Sequence, residues 1–220
     1  QNPDNGGIPH CSALLHGKLG LNSTVACFDI GLGCSGYVYG LSILRGLMYE
    51  AGFSSAILCT SDQYSRIIDR DDRVTSLLFG DAATATWLTS DGSFQFGASI
   101  FETMGSNGHA LHLDNAKLTM NGRQVFDFAA INVPKQIKAY LQRESMQPGE
   151  VDLYCMHQGS AAIVNAIARR FPGCHEKFII DLESTGNTVS SSIPLLLEKH
   201  FVSSELKTAI ISGFGVGLSW

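Results

Sequence analysis

At 220 residues, with 45% hydrophobic and 16% charged side chains, the chain is long enough for one large domain or two small ones around a sizeable core. Its formal net charge of −5 is spread without acidic or basic blocks, which argues against nucleic acid and membrane surfaces as main partners. Six cysteines lie far apart without a CxxC pair, so neither a disulfide framework nor zinc is indicated, and a reducing, cytoplasmic setting fits.

The chain opens at Gln1 and ends on "ISGFGVGLSW", an apolar, Gly-rich stretch that reads as the middle of a structural unit, so a piece of a longer protein is expected. No basic-then-apolar leader opens it, and no apolar run approaches the roughly 20 residues of a membrane helix, so the reading is a soluble protein with no membrane partner. "TVACFDI" (24–30) reads as a buried strand, followed by a helix from about 34 to 50 and a strand "SSAILCTS" (54–61). "ATATWLTSD" (83–91) is the next strand, and this order predicts βαβ units. A turn at Asp91-Gly92 and the run "FQFGASIFET" (94–103) predict a hairpin over 83–103. Beyond a polar, His-containing loop (105–117), helix 123–143 stops at Gln147-Pro148-Gly149. Strand 151–156, helix 160–171, strand 177–183, helix 191–201 and strand 207–212 complete the pattern. With no low-complexity linker, residues 1–92 and 93–220 are expected to form two halves of one α/β core.

Cys34 falls at the turn between strand 24–30 and the next helix, where free backbone N–H groups and the positive helix end favour a thiolate. Gly31, Gly33 and Gly36 permit a tight turn and close substrate approach, as in nucleophile elbows. The plain alternative is a small apolar residue in a helix–sheet contact. His157 and Asn187 occupy equivalent places, each after a strand and before a helix. Singly, His157 reads equally as a structural histidine, and Asn187 reads first as a cap or turn residue beside Gly186. Together they matter more: ligands of parallel α/β sheets bind outside the carboxyl ends of strands, where all three side chains could converge.

"FDIGLGCSGYVYGL", "DRDDRVTSLLFGDAATA", "MHQGSAAI", "GNTVSSSIP" and "SGFGVGLSW", in this order and spacing, resemble the successive signatures of β-ketoacyl-acyl-carrier-protein synthase III, a condensing enzyme of the thiolase fold. The resemblance spans essentially the whole chain. It implies two similar βαβ-containing halves sharing a layered α/β core, the first half incomplete. Relative to the family pattern the chain lacks one βαβα segment before Gln1 and a short strand after Trp220.

The resemblance implies that Cys34 accepts an acyl group from acyl-CoA and that His157 and Asn187 then assist decarboxylation of malonyl-acyl-carrier-protein. It places an oxyanion hole at the backbone N–H groups of Cys34 and Val216, where many members carry Gly at the latter position. Phe214 either shields the thiolate or simply packs. Arg73 matches a coenzyme A contact, and Arg169 and Arg170 are candidates for carrier docking, with helix-dipole compensation as their plain reading. Ala162 departs from an Arg common in the family. A homodimer is implied, with Ile8 and Pro9 reaching the partner's tunnel. No cofactor is implied. His109, His112 and Asp114 in the polar loop read as loop residues without a closing metal ligand, and Asp81 as a hydrogen-bonding partner of backbone. Delivery of the acyl group to an oxygen or nitrogen nucleophile, and an inactive accessory subunit, are the rival readings. The absence of a second cysteine after Cys174 separates the chain from thiolases proper, and its glycine and serine wording from type III polyketide synthases.

Overall fold

A computed structural model describes residues 6–201 and 206–220. Helix α1 (Cys11–Leu19) carries no capping side chain at its own start. Instead the Asp29 carboxylate accepts hydrogen bonds from the N–H groups of Cys11 (2.7 Å) and Ser12 (2.9 Å). Helix α2 (Gly36–Ala51) buries Gly36, Tyr37, Gly40, Leu41 and Leu44, a stripe at helical spacing, and ends where Gly52 turns left-handed and donates to Met48 O. A Cβ on Gly40 would lie 2.9 Å from Leu58 Cδ1, so glycine there lets α2 settle onto strand β1 (Ser55–Ser61). The short helix α3 (Arg73–Ser76) is capped by Asp72, and β2 (Ala83–Thr89) follows it.

β1 and β2 pair antiparallel from Ser55↔Thr89 to Ser61↔Ala83. The expected hairpin over 83–103 is therefore not formed. Residues 94–102 form no strand, and their end pairs with the C-terminal segment instead: Glu102 and Trp220 exchange N–H···O bonds of 2.9 and 3.0 Å. Segment 24–30, expected as a strand, joins no ladder among the described residues, and Val25 and Phe28 stand about two-fifths exposed. The region expected as loop 105–117 holds a further hairpin, β3 (Leu111–Asp114) with β4 (Lys117–Met120). Its turn residues Asn115 (φ 47) and Ala116 (φ 61) are both left-handed. That is the conformation a two-residue hairpin loop needs, reached here without the usual glycine.

Helix α4 (Gly122–Arg143) starts at Asn121, whose side chain accepts Gln124 N–H. Strand β5 (Leu153–Met156) leads to α5 (Ala161–Ala168), and α6 (Ser192–His200) leads to β6 (Ala209–Ser212). β5 and β6 are parallel, the arrangement that α/β connections produce. Segment 177–183, expected as a strand, makes only an isolated bridge between Phe178 and Tyr154. Its backbone is served by a side chain: Gln158 accepts from Asp181 N–H (3.0 Å) and donates to Ile179 O (3.2 Å).

One cluster gathers α4, α5 and β5 through Phe128, Val133, Ile137, Tyr154, Ile167 and Phe171. A second joins Tyr37, Leu41, Leu58 and Leu88 to Cys155, Ile193 and Leu196, so side chains from both sides of residue 92 share one core. Each such burial contributes roughly 1.5–3 kcal/mol. No helix among the described residues is long and apolar enough to cross a membrane.

Candidate active site

Cys34 lies two residues before α2 and is 3% exposed. Its wall is made by the glycine-rich segment 213–217. A Cβ on Gly215 would stand 2.7 Å from Cys34 Sγ, and one on Gly213 would stand 2.8 Å from Cys34 O. Backbone can approach the sulfur this closely only where side chains are absent. Val216 N–H eases ionisation of the sulfur, and Val216 does not take a positive φ, so a branched side chain is accommodated at that position. On the other side Cys34 packs with Tyr64, Ile67, Leu118 and Val189 in a third apolar cluster.

His157 follows the last residue of β5, and its N–H extends the ladder by donating to Ser212 O at 2.8 Å. It therefore sits at the carboxyl end of the parallel pair. The imidazole is buried, and Phe214 meets it edge-on with ring centroids 5.4 Å apart. Phe214 also belongs to the α4–α5–β5 core, the packing that was its plain reading from sequence. Nδ1 lies 2.7 Å from Ser192 Oγ, which in turn lies 3.0 Å from Val189 O and accepts Gln158 N–H at 3.3 Å. All these contacts are satisfied when the Ser192 hydroxyl donates to Val189 O and Nδ1–H donates to Ser192. The neutral ring then presents its lone pair at Nε2.

Asn187 is held by backbone: its N–H donates to Leu78 O (2.9 Å) and its carbonyl accepts Gly80 N–H (3.0 Å). A Cβ on Gly80 would come within 2.0 Å of Thr185 O, and Gly186, at φ 62, would place one 2.9 Å from Leu78 O. The glycines of "FGD" and "TGN" thus let two remote segments touch. Asn187 Oδ1 accepts Val189 N–H at 2.9 Å, which leaves Nδ2 as the donor end of the amide. Val189 itself is left-handed at φ 56, unusual for a branched residue.

Burial pushes the Cys34 thiol up to about 12, the negative charge of Asp62 adds to this, and the N–H groups of Val216 and Cys34 pull the other way. Burial brings the His157 imidazole down to about 4, against the Val189 carbonyl and Asp62, which favour its protonated form. Both groups rest neutral at pH 7. The helix start was expected to favour a thiolate, but removal of the sulfur from water outweighs it.

Arg73 is exposed at the first turn of α3, beside Val74. Val74 lines an open recess of about 640 Å³ with His109, Met120, Asn121 and Arg123. Arg123, which the sequence reading passed over, is paired there with Asp127 at 2.7 Å. Arg169 and Arg170 are exposed just past the C-terminal end of α5, away from the end nearer His157. Ile8 is 85% exposed and lies outside the cluster around Cys34. Asp81 accepts from Ser65 N–H (3.1 Å) and from the Ser65 hydroxyl, in line with its reading as a backbone partner. Asp62, Tyr64 and Ser192 went unnoticed in the sequence. The one available signal was an acidic residue directly after the apolar run of β1.

The 3-oxoacyl-acyl-carrier-protein synthase III family pattern matches residues 28–108, and the pattern of its C-terminal portion matches residues 141–220. A β-ketoacyl-acyl-carrier-protein synthase III of Acholeplasma laidlawii is 34% identical over 215 residues, covering 96% of this chain and 69% of the relative. A crystal structure of a 3-oxoacyl-acyl-carrier-protein synthase III superposes with a TM-score of 0.91 at 30% identity, over 100% of this chain and 74% of that one. The corresponding Aquifex aeolicus structure gives 0.88 at 29% identity over 96% and 70%. The motifs around Cys34, His157 and Asn187 all fall within the matched stretches, and the chain belongs to the β-ketoacyl-acyl-carrier-protein synthase III family, with its thiolase-like fold.

Proposed function

We propose that the chain is a condensing acyltransferase of fatty acid or related biosynthesis. It loads an acyl group from acyl-CoA onto Cys34 and joins it, with loss of CO₂, to a malonyl group on acyl carrier protein. The observation that carries this reading is the position of Val189. It shares one apolar cluster with Cys34, its N–H holds the Asn187 side chain, and its carbonyl anchors the hydroxyl that orients His157. The named relatives are β-ketoacyl synthases, which supports condensation over transfer to an oxygen or nitrogen nucleophile.

In the first half-reaction the Cys34 sulfur attacks the thioester carbonyl while its proton passes to His157 Nε2. The oxyanion is met by the N–H groups of Cys34 and Val216, and the coenzyme A thiolate leaves, taking a proton from water. His157 keeps its proton. In the second, the bond to the malonyl carboxylate breaks, CO₂ departs, and the enolate oxygen accepts hydrogen bonds from His157 Nε2–H and Asn187 Nδ2–H. The carbanion attacks the acyl carbonyl, and the Cys34 thiolate expelled on collapse recovers the proton from Nε2.

The arm of coenzyme A or the carrier would enter by the recess beside Val74 and Met120, with Arg123 in its lining and Arg73, the residue before Val74, to meet phosphate. Arg169 and Arg170 remain candidates for the carrier's acidic surface. The exposure of Ile8 and Pro9 fits a role in completing a partner's tunnel within a homodimer. All six cysteines are free thiols, which fits a cytoplasmic setting. No metal or other cofactor enters this scheme.

Intact-mass spectrometry after incubation with a panel of acyl-CoA thioesters tests the first half, with an acyl adduct on Cys34 expected. Release of CO₂ from added malonyl-acyl-carrier-protein tests the second. An adduct without CO₂ release would move the reading to an oxygen or nitrogen acceptor, and absence of any adduct would overturn it.

A further inference from the structure

Asp62 follows β1 and is only 2% exposed, a rare place for a carboxylate. It accepts hydrogen bonds from Ser190 N–H (3.2 Å) and from the Ser190 hydroxyl, across 128 residues of sequence. Ser190 lies within the short turn Val189–Ser191 between Asn187 and α6, two residues before the Ser192 that orients His157. Next to it, Thr60 of β1 hydrogen-bonds Ser191 Oγ at 2.7 Å. The end of β1 is thus tied twice to the turn that positions the imidazole and the amide. Among the described titratable groups, Cys34 at the start of α2, Tyr64 after β1 and His157 after β5 each feel its charge.

We propose that Asp62 is a positioning residue: its buried carboxylate fixes the turn carrying Asn187, Val189 and Ser192, and it is the negative charge against which His157 holds a proton. This rests on the condensation reading. With a free thiol the charge works both ways, opposing the thiolate while favouring the imidazolium. Once the sulfur is acylated it can no longer ionise, while the attraction of the carboxylate to protonated His157 persists. The same carboxylate therefore favours His157 as the donor needed for decarboxylation, with no added charge and no further proton.

The test uses the chain with its exposed cysteines Cys11 and Cys59 replaced by Ser and Cys34 capped by iodoacetamide to completion by intact mass, a stand-in for the acylated sulfur, and follows His157 by nitrogen-detected NMR as pH is varied. Asp62→Asn keeps an acceptor of the same shape and removes the charge, so the His157 midpoint should fall by about one unit. Ser190→Ala keeps the charge and should leave the midpoint in place; in the uncapped chain it should slow condensation about five-fold or more relative to acyl loading. A midpoint unmoved in Asp62→Asn, or moved equally in both variants, overturns the electrostatic role. Should Asp62→Asn fail to fold, Ser190→Ala decides alone, since condensation unchanged relative to loading overturns the positioning role. The titration needs no substrate, so it stays informative even if malonyl-thioester condensation is never observed.

Discussion

The two sheets that frame the site are dressed differently. β5 is buried along its whole length, with α4 and α5 contributing to the core on one side and α2 and α6 on the other. β1 and β2 alternate, and their outward positions leave Ile57 63% and Trp87 73% exposed as directly opposed partners. A strand covered on both faces tolerates little change, and a half-covered one tolerates much on its open side. His157 grows from the fully covered strand. Asp62 grows from the half-covered one, and the Val189 turn connects the two.

The sharpest way to break this arrangement is at the sulfur. Cys34→Ala should abolish the acyl adduct and lower turnover roughly 10³-fold or more, read by intact mass and CO₂ release. Gly215→Ala comes next, because its methyl would lie 2.7 Å from Sγ and must push the 213–217 wall away from Cys34. Acyl loading should fall on the order of 10²-fold. For the sheets themselves, Ile193→Ala in the shared core should cost about 2–5 kcal/mol in urea unfolding, whereas Ile57→Ala on the open face should stay near 0.5 kcal/mol. Equal costs at the two positions would erase the distinction.

The pH dependence is the most gradual effect, spread over a window of pH. Burial holds His157 below its ordinary 6.5, at about 4. As pH falls, the unfolded chain takes up this proton before the folded one does. The contribution is fully present above pH 6.5, is lost as pH drops towards 4, and is at most about 3 kcal/mol. His157→Gln should flatten stability across that window in urea titrations. An identical slope in the variant would place the pH sensitivity elsewhere.

Helix α2 was legible because its buried positions recur at helical spacing and Gly52 stops it. Strand β5 was legible as an unbroken apolar run ahead of a helix. The segments misread as strands share one cause: apolar alternation states that a run can pair, not that a partner is there. Segment 24–30 meets none among the described residues. Segment 177–183 has its backbone served by Gln158, and residues 94–103 meet the chain's distant end. At the site, cysteine, histidine and asparagine were visible because each follows a strand and the family's wording surrounds it. The supports were not. A serine inside "SSS" carries no mark that it orients an imidazole 35 residues away, and the meaning of Gly80 emerges only when Thr185 O is seen 2.0 Å from where its Cβ would be.

Val189 has a last consequence. A branched residue held at φ 56 costs on the order of 1–2 kcal/mol, a conformation that persists only while its surroundings enforce it. Its full burial in the cluster that holds Cys34 and Tyr64 is that enforcement. Amide, imidazole and thiol thus share a single stiff hinge that has no comfortable intermediate shape. Heat should not blunt the chemistry gradually: competence and compactness should vanish in the same transition.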